Sequence, residues 1–122
     1  MEFTQDKMKK KAIIISIKGT KLSKKEKLLL SKEKPWGLIL FQRNIQSINQ
    51  IQRLTKKIRE YSKDSKFPIL IDEEGMKVSR LRKIFNQKTN ASFFGDLYKQ
   101  DQQIAISLYK NYLKSLCNKL KK

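Results

Sequence analysis

The residues best equipped for chemistry lie together in Phe67-Pro-Ile-Leu-Ile-Asp-Glu-Glu-Gly-Met-Lys-Val-Ser-Arg80, where an apolar run gives way to three consecutive carboxylates and an arginine soon follows. Three kinds of chemistry suit that composition. A fixed carboxylate accepts hydrogen bonds from two vicinal sugar hydroxyls while an arginine donates to a further oxygen. Paired carboxylates carry out glycoside hydrolysis. Grouped oxygen ligands hold a divalent cation. The plain alternative is a solvated acidic turn. Neighbours in an extended segment point to opposite sides, so Asp72 and Glu74 are expected to share one side and Glu73 to face the other. The bare chemistry leaves sugar, metal and phosphate ligands open.

A strand has to position these groups. Pro68 to Ile71 is apolar without alternation, which reads as a buried strand covered on both faces. Asp72 then stands at its C-terminal end, where parallel α/β folds carry their ligand sites. Two similar runs, Ala12 to Ile17 and Gly37 to Phe41, read as earlier strands. Ser23 and Glu26 have capping-box spacing before a short helix through Leu28, Leu29 and Leu30, and Pro35 stops anything helical before Trp36. Ser47 and Gln50 repeat that spacing before Ile48, Ile51, Leu54, Ile58 and Tyr61, which recur at helical intervals. A polar connection, Tyr61 to Lys66, leads into the third strand. Leu81 to Phe94 shows no clear period and reads as a long loop with at most a helical turn, continued by Gly95 and Asp96. Asp101 caps a last helix whose apolar stripe is Ala105, Tyr109, Tyr112, Leu113, Leu116 and Leu120, expected to be core. Strands near residues 12, 37 and 68, each followed by a helical stretch, give an α/β fold of repeated βα units around a parallel sheet.

At 122 residues the chain is at most one domain, with a polar N-terminal end over 1–11 and the domain over 12–122. Net charge is +18, from 29 basic and 11 acidic residues. Such a balance invites a polyanion partner. Only five of the cations are arginines, however, and the lysines are spread over nearly every segment, as a solvated surface would have them. A small basic RNA- or anionic-surface-binding protein is therefore the rival reading. A complete flavodoxin-like module is a weaker one, since no glycine-rich phosphate loop follows the first strand. Cys117 is expected to be a buried thiol, and a lone cysteine permits no internal disulfide, which suits a reducing, cytoplasmic setting. Histidine is absent, so His-based zinc sites and a histidine general base are excluded from these residues. Lys7 to Lys11 followed by Ala12 to Ile17 imitates a signal peptide, but the apolar part is too short and Lys18 closes it. No segment reaches the roughly 18 apolar residues of a membrane span. Neither a membrane nor a nucleic-acid partner is expected, and the sequence carries no signal for oligomeric state.

Two stretches carry a resemblance. Gly37-Leu-Ile-Leu-Phe-Gln-Arg-Asn44 is similar to a GLILF-x-RN strand and turn, and Ile71-Asp-Glu-Glu-Gly-Met-Lys-Val-Ser-Arg80 is similar to a D-[QE]-E-G-G-R-V-x-R loop. In this order they resemble the N-terminal part of glycoside hydrolase family three, in its bacterial β-N-acetylhexosaminidase branch. The resemblance implies a TIM barrel that removes terminal β-linked N-acetylglucosamine from peptidoglycan fragments with retention of configuration. It implies a carbohydrate partner and no cofactor or metal. By the same resemblance Asp72 grips hydroxyls of the sugar and Arg80 binds that sugar too, while Glu73, Glu74 and Gly75 support the loop. Met76 and Lys77 stand where the family usually has Gly and Arg.

The family's aspartate nucleophile and mobile-loop histidine acid/base come from later strands, and the absence of histidine agrees that no catalytic residue lies in this chain. A TIM barrel takes about 250 residues and eight strands. The expected structure is therefore the N-terminal portion of a TIM (β/α)8 barrel, about three βα units with the barrel incomplete. On that expectation it is the front of an enzyme, cut short by an incomplete gene record, a frameshift or a premature stop, and inactive alone. Open sheet edges would favour aggregation or partial unfolding of the isolated chain.

Overall fold

The computed structural model describes residues 9–85 and 89–121. Most of the polar end expected at 1–11, and residues 86–88 of the expected loop, lie outside the described residues. The described chain is α/β, with three parallel strands, β1 (Lys11–Ile15), β2 (Pro35–Leu40) and β3 (Ile69–Ile71), paired in the order β1-β2-β3. Four helices accompany them: α1 (Lys24–Lys32), α2 (Ile48–Ser62), α3 (Ala91–Gln100) and α4 (Gln102–Lys121). They form two compact units. The first runs through Glu73 and resumes at Ser79; the second takes Glu74–Val78 and the last two helices.

In the first unit, local chemistry sets the helix starts. Ser23 Oγ accepts from the Glu26 amide at 3.2 Å and Glu26 Oε2 accepts from the Ser23 amide at 2.7 Å, a complete capping box for α1. Glu26 Oε1 also accepts from the Lys18 amide at 2.8 Å, which ties the segment after β1 to the helix. At α2, Ser47 Oγ accepts from the Gln50 amide at 3.2 Å, but the return arm differs from a capping box. Gln50 Oε1 takes the amide of Gln46 at 2.9 Å instead, and its Nε2 donates to the carbonyls of Thr20 and Asn44 at 2.8 and 3.0 Å. The helix ends at Lys63 in the left-handed region, with its amide returned to Arg59 and Glu60.

Leu38 and Leu40, two residues apart on β2, share one sheet face. They cluster with Ile17, Leu30, Leu54, Ile58 and Phe67, so α1 and α2 cover that face. Each such fully buried aliphatic side chain contributes about 1.5–3 kcal/mol of transfer free energy. Gly37 lets β2 approach the next strand, because a Cβ there would lie 3.0 Å from the Pro68 carbonyl. The first and third strands depart from the buried ones expected, since Ile69, Leu70 and Ile71 of β3 are each only part buried. Ile13 and Ile14 are 51% and 47% exposed. β1 has a strand neighbour on one side only among the described residues, and its burial depends on the helices that pack one face of the unit.

The second unit corrects three expectations. Where a loop was expected through Phe94 and on to Asp96, α3 runs straight through Gly95. Asn90 starts it, its Oδ1 accepting from the Phe93 amide at 3.0 Å. An isolated glycine costs a helix only about 1 kcal/mol, too little to break one that is capped and packed. The loop expectation holds nearer Leu81, where the amides of Ile84 and Phe85 turn back to its carbonyl at 2.9 and 2.8 Å. The stripe on α4 is also less buried than expected. Phe94 meets Tyr109 and Tyr112 at 5.0 and 5.4 Å between ring centres, and Ala105 is buried, yet Tyr109, Leu113 and Leu120 are exposed. Cys117 is exposed as well, not the buried thiol expected. Length accounts for the far half of α4, which holds Leu113, Cys117 and Leu120. At about 1.5 Å per residue, the 10 residues of α3 reach only halfway along the 20 of α4.

Two outcomes are expected. A Cβ at Gly95 meets nothing within 4 Å. Gly95→Ala should therefore stabilise α3 by about 0.5–1 kcal/mol, read as slower amide exchange along that helix. For Glu26, burial pushes its carboxyl up, but the amides of Ser23 and Lys18 outweigh this and hold it below the ordinary value. A carboxyl depressed on folding stabilises the fold above its unfolded pKa, and that contribution disappears as pH falls through the folded value. The denaturant midpoint of the first unit should thus drop below about pH 4.3, and Glu26→Gln should make that drop smaller.

Candidate functional site

β3 ends at Ile71, so Asp72 leaves the sheet at its C-terminal edge. An antiparallel bridge between Glu73 and Ser79 closes the base of the following loop and returns Arg80 to Asp72. Arg80 Nη2 lies 3.7 Å from Asp72 Oδ2, with both side chains part exposed. That is ion-pair distance but longer than a hydrogen bond, so the carboxylate keeps its acceptor capacity for a ligand. Glu73 turns to other work. Its Oε2 accepts from the amides of Arg80 and Leu81, both at 3.1 Å, and Leu81 is buried. A carboxylate so engaged is not an exposed partner for Asp72 in paired-carboxylate catalysis.

The other loop residues belong to the second unit. The Glu74 amide donates to the Val78 carbonyl at 2.8 Å and its side chain is exposed. Gly75 is required by its backbone. It has φ of 118° and bridges to Asn90, and a Cβ would come within 3.2 Å of Asn90 Cα and the Thr89 carbonyl. Among the described residues the only side-chain-bearing positions with positive φ are Lys34 and Lys63. Met76 thus fits the turn without left-handed strain, although it replaces the family's usual glycine.

Three residues at the neighbouring strand end complete the site, and no role was assigned to them from the sequence. The Phe41 ring, just past β2, has the guanidinium carbons of Arg43 and Arg80 at 4.7 and 5.6 Å from its centre. Arg43 Nε donates to the Ile17 carbonyl at 3.1 Å and Nη2 to Ser16 Oγ at 3.2 Å. Contacts therefore run from the end of β1 through Arg43, Phe41 and Arg80 to Asp72 at the end of β3. Asn44 is fully buried. Its Oδ1 accepts from the Phe41 amide at 2.8 Å, and its Nδ2 donates to the carbonyls of Ile17 and Gly19 at 3.0 and 2.8 Å. The one sequence signal for these three was their place in the motif behind an apolar strand.

A three-stranded parallel sheet with helices against it defines an α/β protein, and Asp72 and Arg80 stand at the strand end where such folds carry ligand sites. No protein-family model matches the chain. A β-hexosaminidase of Haemophilus ducreyi is 39% identical over 94 residues, 77% of this chain and 27% of that protein. The NagZ of Neisseria gonorrhoeae, solved in complex with N-trifluoroacetyl-D-glucosamine, superposes with a TM-score of 0.67 at 28% identity, covering 75% of this chain and 26% of the other. A glycoside hydrolase family 3 β-N-acetylglucosaminidase from Paenibacillus sp. str. FPU-7 matches with a TM-score of 0.52 at 25% identity, over 56% of this chain and 14% of that one. Sequence and backbone together relate the chain to the β-hexosaminidases of glycoside hydrolase family three. It spans about a quarter of the length of the curated relatives it matches. The rival reading of a small basic RNA- or anionic-surface-binding protein is not favoured by these relatives.

Asn44→Ala would leave the Gly19 carbonyl and the Phe41 amide without their partner, and the Ile17 carbonyl with Arg43 Nε alone. A loss of about 2–4 kcal/mol is expected, seen as a lower urea midpoint with the slope unchanged.

Proposed function

We propose that these residues form the first three βα units of a (β/α)8 barrel in a retaining β-N-acetylglucosaminidase that acts on peptidoglycan-derived saccharides in the cytoplasm. In this reading Asp72 accepts from hydroxyls of the terminal sugar and Arg80 donates to the same sugar. Glu73, Glu74 and Gly75 give the loop its shape. The aspartate nucleophile and the histidine acid/base belong to later strands and are not among these 122 residues. The observation that carries the reading is the placement of Asp72 and Arg80 3.7 Å apart at the carboxyl end of β3, in a chain related to β-hexosaminidases.

A chimera tests it. Residues 13–119 replace the matching quarter of the Haemophilus ducreyi enzyme, and hydrolysis of 4-nitrophenyl N-acetyl-β-D-glucosaminide is followed. Turnover is expected from the chimera and none from the 122-residue chain alone. Asp72→Ala in the chimera should lower kcat/KM about a hundredfold or more, as loss of charge-assisted hydrogen bonds to two hydroxyls implies. A chimera that folds but is inactive, or turnover by the isolated chain, would refute the proposal.

A further inference from the structure

An arginine that serves a fixed carboxylate is useful only if it is held before the ligand arrives, and a long side chain at a loop end does not hold itself. Arg80 is gripped at two separate levels. Its main chain is fixed by Glu73, whose Oε2 takes the amides of Arg80 and Leu81 at 3.1 Å each. Its guanidinium is set against the Phe41 ring, 5.6 Å from the centre, with Nε buried and only the outer part of the group facing Asp72. A second cation stands at the same ring. Arg43 is pinned to Ile17 and Ser16 and lies 4.7 Å from the ring centre.

We propose that Glu73 and Phe41 are the positioning residues of Arg80, the carboxylate fixing its main chain and the ring its guanidinium, so that the cation is preorganised beside Asp72. The inference rests on the sugar-binding reading for its purpose, but the positioning itself is a property of the free chain.

Nitrogen NMR of the whole 122-residue chain tests the idea. The Arg80 Nε–H signal should stand apart from those of the other arginines through the ring current of Phe41 and should show a rigid heteronuclear NOE. Phe41→Leu should return that signal to the crowd and make it mobile, with the backbone spectrum still dispersed, and Phe41→Tyr should keep it as in the parent. Glu73→Asp, one methylene too short, should speed exchange of the Arg80 and Leu81 amides about tenfold or more, whereas Glu73→Gln keeps an oxygen in place and should stay within a few-fold. The proposal is overturned by a mobile, unshifted Arg80 Nε–H in the parent or in Phe41→Tyr. It is equally overturned by a signal indifferent to Phe41→Leu, or by unchanged exchange in Glu73→Asp. Titration with N-acetylglucosamine separates the two readings: a rigid Arg80 that ignores the sugar sinks the binding role alone, and sugar shifts around a mobile Arg80 sink the positioning role alone.

Discussion

One buried amide holds the carboxyl end of the sheet together. Asn44 is closed off from solvent and uses its oxygen on the Phe41 amide and its nitrogen on the carbonyls of Ile17 and Gly19. Asparagine matches this demand because it offers an acceptor and two donors from one planar group. Aspartate would set carboxylate oxygens against two carbonyl oxygens, and leucine would leave the Phe41 amide and the Gly19 carbonyl stranded at about 1–3 kcal/mol each. The segment after β1 and the turn after β2 are consequently one rigid piece, to which Gln50 adds its own bridge between Thr20 and Asn44.

From that piece the rest of the site is built outward. Arg43, adjacent to Asn44, reaches back to the end of β1, and Phe41, three residues earlier, presents its ring to two guanidinium groups. Beneath them, Leu38 and Leu40 press into the helices. The strands supply position, because a residue at a buried strand's end has little freedom of its own. The loops supply polar atoms at those positions, and the division of labour between Asp72 and Glu73 follows from it. One carboxylate points outward to the cation, and the other is spent on main-chain amides.

What was legible in the sequence was local. The capping pair Ser23 and Glu26, the period of α2 and the apolar runs of β2 and β3 depend on residues within one or two turns, and they lie where expected. Features set by distant neighbours were not legible. The exposure of Ile13 depends on which strands flank β1, and the exposure of Cys117 on the shortness of α3. That helix itself was hidden because Gly95 and a cluster of aromatics mask its period, while its cap, Asn90, looks like any loop asparagine. Asp72 and Arg80 were singled out through the motif resemblance. The engagement of Glu73 with two amides depends on how the loop returns through Ser79, which no spacing rule reports.

Among the described residues β1 has a strand neighbour on one side only, and lysines stand at both ends of it. Its exposed isoleucines lie between Lys9, Lys10 and Lys11 at one end and Lys18 at the other. Lys10 and Lys11 are paired with Asp64 and Glu33, yet the chain as a whole keeps a charge of +18. For two copies to zip together along these strands, they must bring like-charged segments into register, which is how natural sheets keep open strands from templating fibres. That guard is only as long as the Debye length, about 8 Å in physiological salt and about 3 Å at 1 M. The chain is thus a polyelectrolyte whose colloidal stability is set by the surrounding electrolyte as much as by its own fold.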